Sequence, residues 1–151
     1  MLWTNRGKFL MLDWVFHAEA MPTNFYVALV TDAVAPTVDI NTLGELTEIA
    51  AGNGYTTGGY QLTPGATDFD VMTEDDTGDK ALCQIKDIVW TAAAGPIPDS
   101  GDGARYAILT DDNGTIGNRQ VIAAWDLVSD RSCTDTHSIT LEDCELQAVE
   151  P

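Results

Sequence analysis

The chain has 151 residues, 44% of them hydrophobic, and sets 24 acidic side chains against 7 basic ones for a net charge of −17. That length suits one domain, and at this size a fold hides roughly 68–70% of its unfolded surface, enough for a self-sufficient core. An exterior this acidic repels phosphate backbones and anionic bilayers, which argues against nucleic acid and membrane as partners.

The charge is unevenly spread. Between Phe9 and Asp79 there is no Lys or Arg, while that stretch carries Asp13, Glu19, Asp32, Asp39, Glu45, Glu48, Asp68, Asp70, Glu74, Asp75, Asp76 and Asp79. Such carboxylates give a soluble exterior, or an attraction to a basic partner. No run reaches the ~18 apolar residues of a membrane span. The Arg6/Lys8 pair before FLMLDWVF and the Ala18-Glu19-Ala20 triplet imitate a secretory signal. Asp13 interrupts that short apolar run, which argues against one.

In chain order, residues 1–20 predict a helix and residues 21–151 a β body. Thr4 or Asn5 can cap a helix running to about His17. Phe9, Leu10, Leu12, Trp14, Val15 and Phe16 cover most of its circumference. A helix apolar nearly all round has to be covered, commonly by its own domain and otherwise by a neighbouring chain. Met21-Pro22 ends it. Phe25–Thr31 then reads as a strand rich in aromatic and branched residues. Thr42–Ile49 predicts a short helix, with Thr42 and Glu45 in capping-box spacing and Gly44 weakening it. The turn-rich run AGNGYTTGGYQLTPG reads as irregular loop holding Tyr55 and Tyr60, which either anchor it on the core or contact a ligand or partner.

From Thr67 the period becomes two, as on a half-buried antiparallel strand. Ala81–Trp90 is a further strand whose apolar parity slips between Ile85 and Ile88, which predicts a bulge near Lys86-Asp87. Ala104–Thr110 and Val121–Val128 flank DDNGTIGN, where Asn113-Gly114 signals a hairpin. Arg105, the one cation of its strand, is expected to pair with an acid. Ser138–Val149 repeats the parity slip, as one bulged strand or two short ones. Six or seven strands without alternating helices predict a mainly β fold, an antiparallel sandwich or small barrel with an N-terminal helix.

Chemistry is sparse. Cys83, Cys133 and Cys144 are too few for a disulfide framework; Cys83 reads as a buried thiol, and Cys133 and Cys144 flank a turn across which they can pair. No Cys-x-x-Cys occurs and His17 and His137 stand far apart, so a zinc site has little support. Asp75, Asp76 and Asp79 around Gly78, or Asp99 with Asp102, offer oxygen ligands for calcium without EF-hand spacing. Asp68 and Asp70 share a strand face and imitate a glycosidase pair, but such pairs face each other across a groove, so a solvated face is the simpler reading. There is no nucleophile elbow and no phosphate loop. No catalytic residue, cofactor or metal site is assigned.

The segment VWTAAAGPIP…GARYAILTDDNGT, Val89 to Thr115, resembles one found in small proteins encoded among the head and tail genes of tailed bacteriophages. In that pattern a Trp-Thr strand leads through a Gly/Pro loop to an Ala-Arg-Tyr-Ala strand and an acidic hairpin. The Asn5-Arg6-Gly7-Lys8 helix leading into Phe25-Tyr26-Val27-Ala28-Leu29 is similar to their opening, and Thr140–Leu146 to their closing strand. The resemblance implies a non-enzymatic virion structural protein, a capsid decoration or cement subunit. It would be assembled in the host cytoplasm, oligomeric, and bound to the major capsid protein or other virion proteins. It transfers no catalytic residues, and the acidity and three cysteines depart from the pattern. On this expectation Phe9, Trp14, Phe16, Tyr55 and Tyr60 are the partner-contact candidates. Aromatic loops on a sandwich also suit a receptor- or glycan-binding module of a tail fibre or tip, and an acid-pair hydrolase is a third reading.

Overall fold

The computed structural model describes residues 1–149; Glu150 and Pro151, the end of the expected β body, lie outside the described residues. Ten strands form: β1 (Leu2–Trp3), β2 (Phe25–Val30), β3 (Tyr60–Leu62), β4 (Val71–Asp75), β5 (Lys80–Ile85), β6 (Ile88–Thr91), β7 (Ala104–Thr110), β8 (Val121–Arg131), β9 (Ser138–Leu141) and β10 (Cys144–Val149). One helix, α1 (Asn5–Phe16), stands near the N-terminus. The strands make three antiparallel sheets ordered β1-β8-β7-β2-β3, β10-β5-β4 and β6-β9, and no barrel closes.

The count exceeds six or seven for two reasons. β1 and β3 are only two and three residues long, too short for a period to register. The two parity slips are not bulges either. At Lys86-Asp87 and at Glu142-Asp143 the chain leaves one sheet for another: β5 pairs with β10, while β6 pairs with β9. Asp143 makes its corner at φ 52°. Exchanging faces by changing sheet leaves the same mark in sequence as exchanging faces by one extra residue.

The five-stranded sheet is buried on both faces, which is why VALV, AILT and VIAAW are nearly continuous apolar runs. On one face Val27, Leu29, Ala107, Leu109 and Trp125 meet Ile85, Ile88, Trp90, Ile139 and Leu141 of the smaller sheets. On the other, Ala28, Val30, Ile108 and Ala124 meet Leu43 and Leu46 of the segment after β2. That segment holds a single 3-10 turn, Leu43–Glu45, in place of the expected helix. Glu45 accepts hydrogen bonds from the N–H groups of Thr42 (2.7 Å) and Asn41 (3.0 Å), and these hold its carboxyl below the usual range. With Gly44 inside it and the chain needed at full stretch to bridge Val30 through Glu48, no second turn forms.

β7 and β8 are antiparallel neighbours, yet the link between them is not a two-residue turn. Neither Asn113 nor Gly114 takes a positive φ. The connection runs through a 3-10 turn, Ile116–Asn118, and Asp111 closes it by accepting from Asn113 N (3.3 Å) and Gln120 N (2.8 Å). The local carboxylate supplies a loop closure that competes with the tighter turn.

Helix α1 starts where the sequence places it. The Thr4 hydroxyl accepts from Gly7 N (2.8 Å) and donates to the carbonyl of Val121 on β8 (2.6 Å), so one side chain caps the helix and ties it to the sheet. Thr4 N also donates to Ile122 O (3.2 Å). Gly7 makes the close approach possible: a Cβ there would lie 2.1 Å from the Ile122 carbonyl oxygen. Gly7→Ala must lift the helix from β8, and overpacking of this kind costs about 1–3 kcal/mol. For a domain of this size that is a fall of roughly 3–10 °C in Tm, measured by calorimetry. Thr4→Val is isosteric but leaves Gly7 N and Val121 O without the hydroxyl, so a loss of about 1–3 kcal/mol is expected from the same scan.

Candidate functional site

Seating α1 through Thr4, Gly7 and Leu10 divides its apolar residues into two sets. Gly7 and Leu10 are buried, and Trp14 is half-buried, packing edge-on against Phe25 with ring centroids 5.9 Å apart. Phe25 in turn meets Phe69 at 5.6 Å. The opposite side carries Phe9, Leu12, Val15 and Phe16, which are 49%, 59%, 66% and 75% exposed. Their spacing of three and four residues lines them up as one stripe. Arg6 covers the edge of that stripe, its guanidinium carbon 5.0 Å from the Phe9 ring centre while its Nε donates to Gln120 Oε1. The one acid within the helix, Asp13, is turned partly inward and meets His17 Nδ1 at 2.9 Å. The domain thus covers less of this helix than a helix apolar all round ordinarily requires.

Two of the five partner-contact candidates, Phe9 and Phe16, lie on the exposed stripe. Trp14 is the inner anchor of the helix. Tyr55 is 2% exposed and belongs to the core, so it presents no contact surface. Tyr60 is half-buried on β3, edge-on to Trp90 at 6.3 Å, with Lys86 Nζ 5.2 Å from its ring centre. Leu12 and Val15 complete the stripe and were not among the candidates. The signal for them was present in the spacing 9, 12, 15, 16; only the seat of the helix tells which half-turn faces out.

Two acids prove to be internal struts. Glu48 Oε1 accepts from the Tyr55 hydroxyl and from Gly58 N, both at 2.6 Å. The Tyr55 oxygen accepts from Leu29 N at 2.9 Å. Burial pushes the Glu48 carboxyl above its ordinary range, and burial together with the adjoining carboxylate pushes the Tyr55 phenol strongly upward. Arg119 stands close by, donating to Gly58 O (2.9 Å) and stacked on Tyr26 at 3.6 Å. This network pins the turn-rich loop to β2.

Asp68 is likewise no part of a solvated face. It is 8% exposed, 2.6 Å from Lys86 Nζ, and accepts from Thr63 N at 2.7 Å. The bond from Lys86 holds the Asp68 carboxyl below its usual range, and the same bond raises Lys86. Asp70, the other half of the imagined pair, is exposed. Arg105 pairs with Asp126 at 2.9 Å, an acidic neighbour across the β7–β8 ladder.

The oxygen-rich turns are occupied with internal hydrogen bonds. Asp75 Oδ1 accepts from Thr77 N (3.1 Å) and Gly78 N (2.9 Å), and Asp99 Oδ1 accepts from Asn53 Nδ2 (2.8 Å). Among the described residues no three His, Cys, Asp or Glu side chains converge on a common point. Cys83, Cys133 and Cys144 are free thiols, so Cys133 and Cys144 do not pair. Cys133 bridges Ile97 while Cys144 is buried opposite Ile85, and burial pushes the Cys144 thiol up to about 12. Among the described residues, recesses of about 360–710 Å³ are lined by the β4–β5 turn, by α1 with the β7–β8 loop, by β8 with β9, and by Trp3 and Trp125, and Glu48, Tyr55 and Asp68 line none of these. No helix among the described residues is long and apolar enough to cross a membrane. No protein-family model, curated protein or solved structure matches the chain.

Two measurements check the struts. Tyr55→Phe removes the acceptor of the buried Leu29 N–H and the donor to Glu48, at a cost of about 1–3 kcal/mol by denaturant titration. For Asp68 the folded-state carboxyl titrates below the unfolded one, so its stabilisation is full above the unfolded range and is lost as pH falls through the folded one. Lys86→Met should move the Asp68 titration upward in a carboxyl NMR experiment, lower the stability at neutral pH, and shrink the part of the stability that is lost as pH falls, because the folded and unfolded titrations then lie closer together. An unchanged Asp68 titration would show that Thr63 N alone sets it.

Proposed function

We propose that this chain is a non-enzymatic structural subunit of a tailed-phage particle, a decoration or cement protein that holds neighbouring shell proteins together through α1. The observation that carries the reading is the exposed stripe Phe9, Leu12, Val15 and Phe16 on a helix firmly seated by its other side. A stripe of large apolar residues on a rigid support is what a binding hot spot needs, since the aromatic anchors are ordered before they meet the partner. The resemblance of Val89–Thr115 to virion proteins gives the partner its class, the major capsid protein or another virion component. The buried acids are consistent with it, because their hydrogen bonds are spent on loops and strands. Burying apolar area at junctions between shell proteins would stabilise the assembled state by mass action.

The test is to locate the protein on purified particles by electron microscopy, and to compare the wild type with a Phe9→Ser, Leu12→Ser, Phe16→Ser triple variant. These side chains stand half to three-quarters in water, so the melting temperature should move by only a few degrees. Particle binding should weaken more than about 100-fold, since each apolar anchor buried at an interface contributes roughly 1.5–3 kcal/mol. Trp14→Ala, by contrast, should act through stability. A triple variant that decorates particles as well as the wild type would end the proposal.

A second reading, a glycan-binding module of a tail fibre or tip, has one observation in its favour. A recess of about 360 Å³ is lined by Trp3 and Trp125 together with Asp143, Glu145 and Gln147. Both indole N–H groups are committed to β10, to Gln147 O (2.8 Å) and Glu145 O (3.0 Å). Reproducible signals on a glycan array, lost in Trp3→Ala, would favour this reading over cement.

A further inference from the structure

The β10-β5-β4 sheet leaves the body of the domain unfinished. Its rung nearest the core, Cys144 opposite Ile85, is buried. The next apolar rung, Leu146–Cys83–Met72, begins half-buried and ends with Met72 at 75% exposure. The rung beyond it, Ala148–Ala81–Glu74, is exposed throughout. β4 is the last strand of the sheet, and Val71, Met72, Thr73 and Glu74 are all exposed, so both of its faces stand in water. Among the described residues no backbone group pairs along its outer edge. An antiparallel strand directs every second residue's N–H and C=O outward, so this edge is a template for one more strand.

Charge decides what that strand can be. Asp70, just before β4, and Met72 and Glu74 within it alternate with period two, giving acid, apolar, acid, and Asp76 follows in the turn. The one cation of the hairpin, Lys80, is already opposite Asp75 in the ladder. A second copy pairing antiparallel about Met72 would set Asp70 of each chain opposite Glu74 of the other, and like charges facing each other across strands are destabilising. The acids therefore protect the edge against self-pairing and leave it open to a strand of opposite sign.

We propose that the outer edge of β4 accepts an extended cationic segment of a different protein, which adds as a fourth strand to β10-β5-β4. The incoming strand carries Lys or Arg opposite Asp70 and Glu74, an apolar residue opposite Met72, and neutral side chains on its other face. Main-chain hydrogen bonds supply the affinity and the alternating side chains the selectivity, as in other cases of strand addition. This site is separate from the α1 stripe and stands or falls independently of the cement reading.

The experiment uses the full chain, ¹⁵N-labelled, and three capped heptapeptides. Ac-TKTITKT-NH2 has the cation–apolar–cation face; Ac-TETITET-NH2 reverses its charge; Ac-TKPIPKT-NH2 keeps the charge but cannot pair as a strand. The first should shift the amides of Val71–Asp75 in saturable fashion. Its affinity should fall at least tenfold for each of the other two peptides, and at least tenfold for Ac-TKTITKT-NH2 against Glu74→Lys. Binding should also weaken as salt is raised. Absence of β4 shifts at millimolar peptide would overturn the proposal. So would equal binding of the proline peptide, which would reduce the site to bulk charge. A dimer in sedimentation that Thr73→Pro dissolves would assign the edge to a second copy and overturn it too.

Discussion

The exposed apolar stripe follows from how α1 is seated. The Thr4 hydroxyl bridges the Gly7 N–H in the first turn of the helix and a carbonyl of β8, at a contact so close that only the missing side chain of Gly7 permits it. This joint fixes both the axis and the rotation of the helix. With Gly7 and Leu10 turned inward, the helical period leaves Phe9, Leu12, Val15 and Phe16 no choice but to face out. A helix held by looser hydrophobic contact alone could roll to hide its phenylalanines. Here the hydrogen-bonded cap prevents it, and the apolar stripe is the result.

The same tension between burial and exposure recurs in the sheets. The five-stranded sheet is covered on both faces where β2, β7 and β8 run side by side, and there VALV, AILT and VIAAW contain one polar side chain, Thr110. The β10-β5-β4 sheet is covered only at its base and becomes more acidic as it leaves the body. A two- or three-stranded sheet holds little stability without a covered face. That it persists away from the core is explained by rigid anchoring at the Cys144–Ile85 rung and by the Asp68–Lys86 pair beside the corner where β5 hands over to β6.

The sequence makes some of this legible and hides the rest for definable reasons. Thr4 as a cap, the aromatic start of β2, the antiparallel β7–β8 pair and the Arg105–Asp126 contact all arise from local chemistry, and local chemistry can be read from order alone. The corners at Lys86-Asp87 and Glu142-Asp143 are different. A parity slip is visible, but whether it means a bulge or a change of sheet depends on which distant strand is the neighbour. Tyr55 can anchor its loop or meet a partner as far as residue order goes, and what chooses the anchor is a hydroxyl that accepts from Leu29 N twenty-six residues away. Asp68 reads as one acid among many until Lys86 is brought beside it. The exposed stripe was half visible: all its residues are apolar on a helix, and only the seat decides which are hidden.

A charge of −17 on so small a body sets the terms on which these surfaces can act. Like-charged copies repel at distances up to about a Debye length, roughly 8–10 Å at physiological salt, so two of these molecules approach each other poorly through most of their exterior. The stripe on α1 is where that repulsion is weakest. Arg6 and Lys8 flank its start, and the only acid within the helix, Asp13, is partly withdrawn against His17. An apolar patch in a less acidic setting, on an otherwise strongly anionic molecule, is a better place for two like-charged bodies to meet than most of the exterior. The acidity then contributes to specificity: it supplies little of the binding energy, yet it excludes the many alternative encounters that exposed phenylalanine, leucine and valine side chains would otherwise invite.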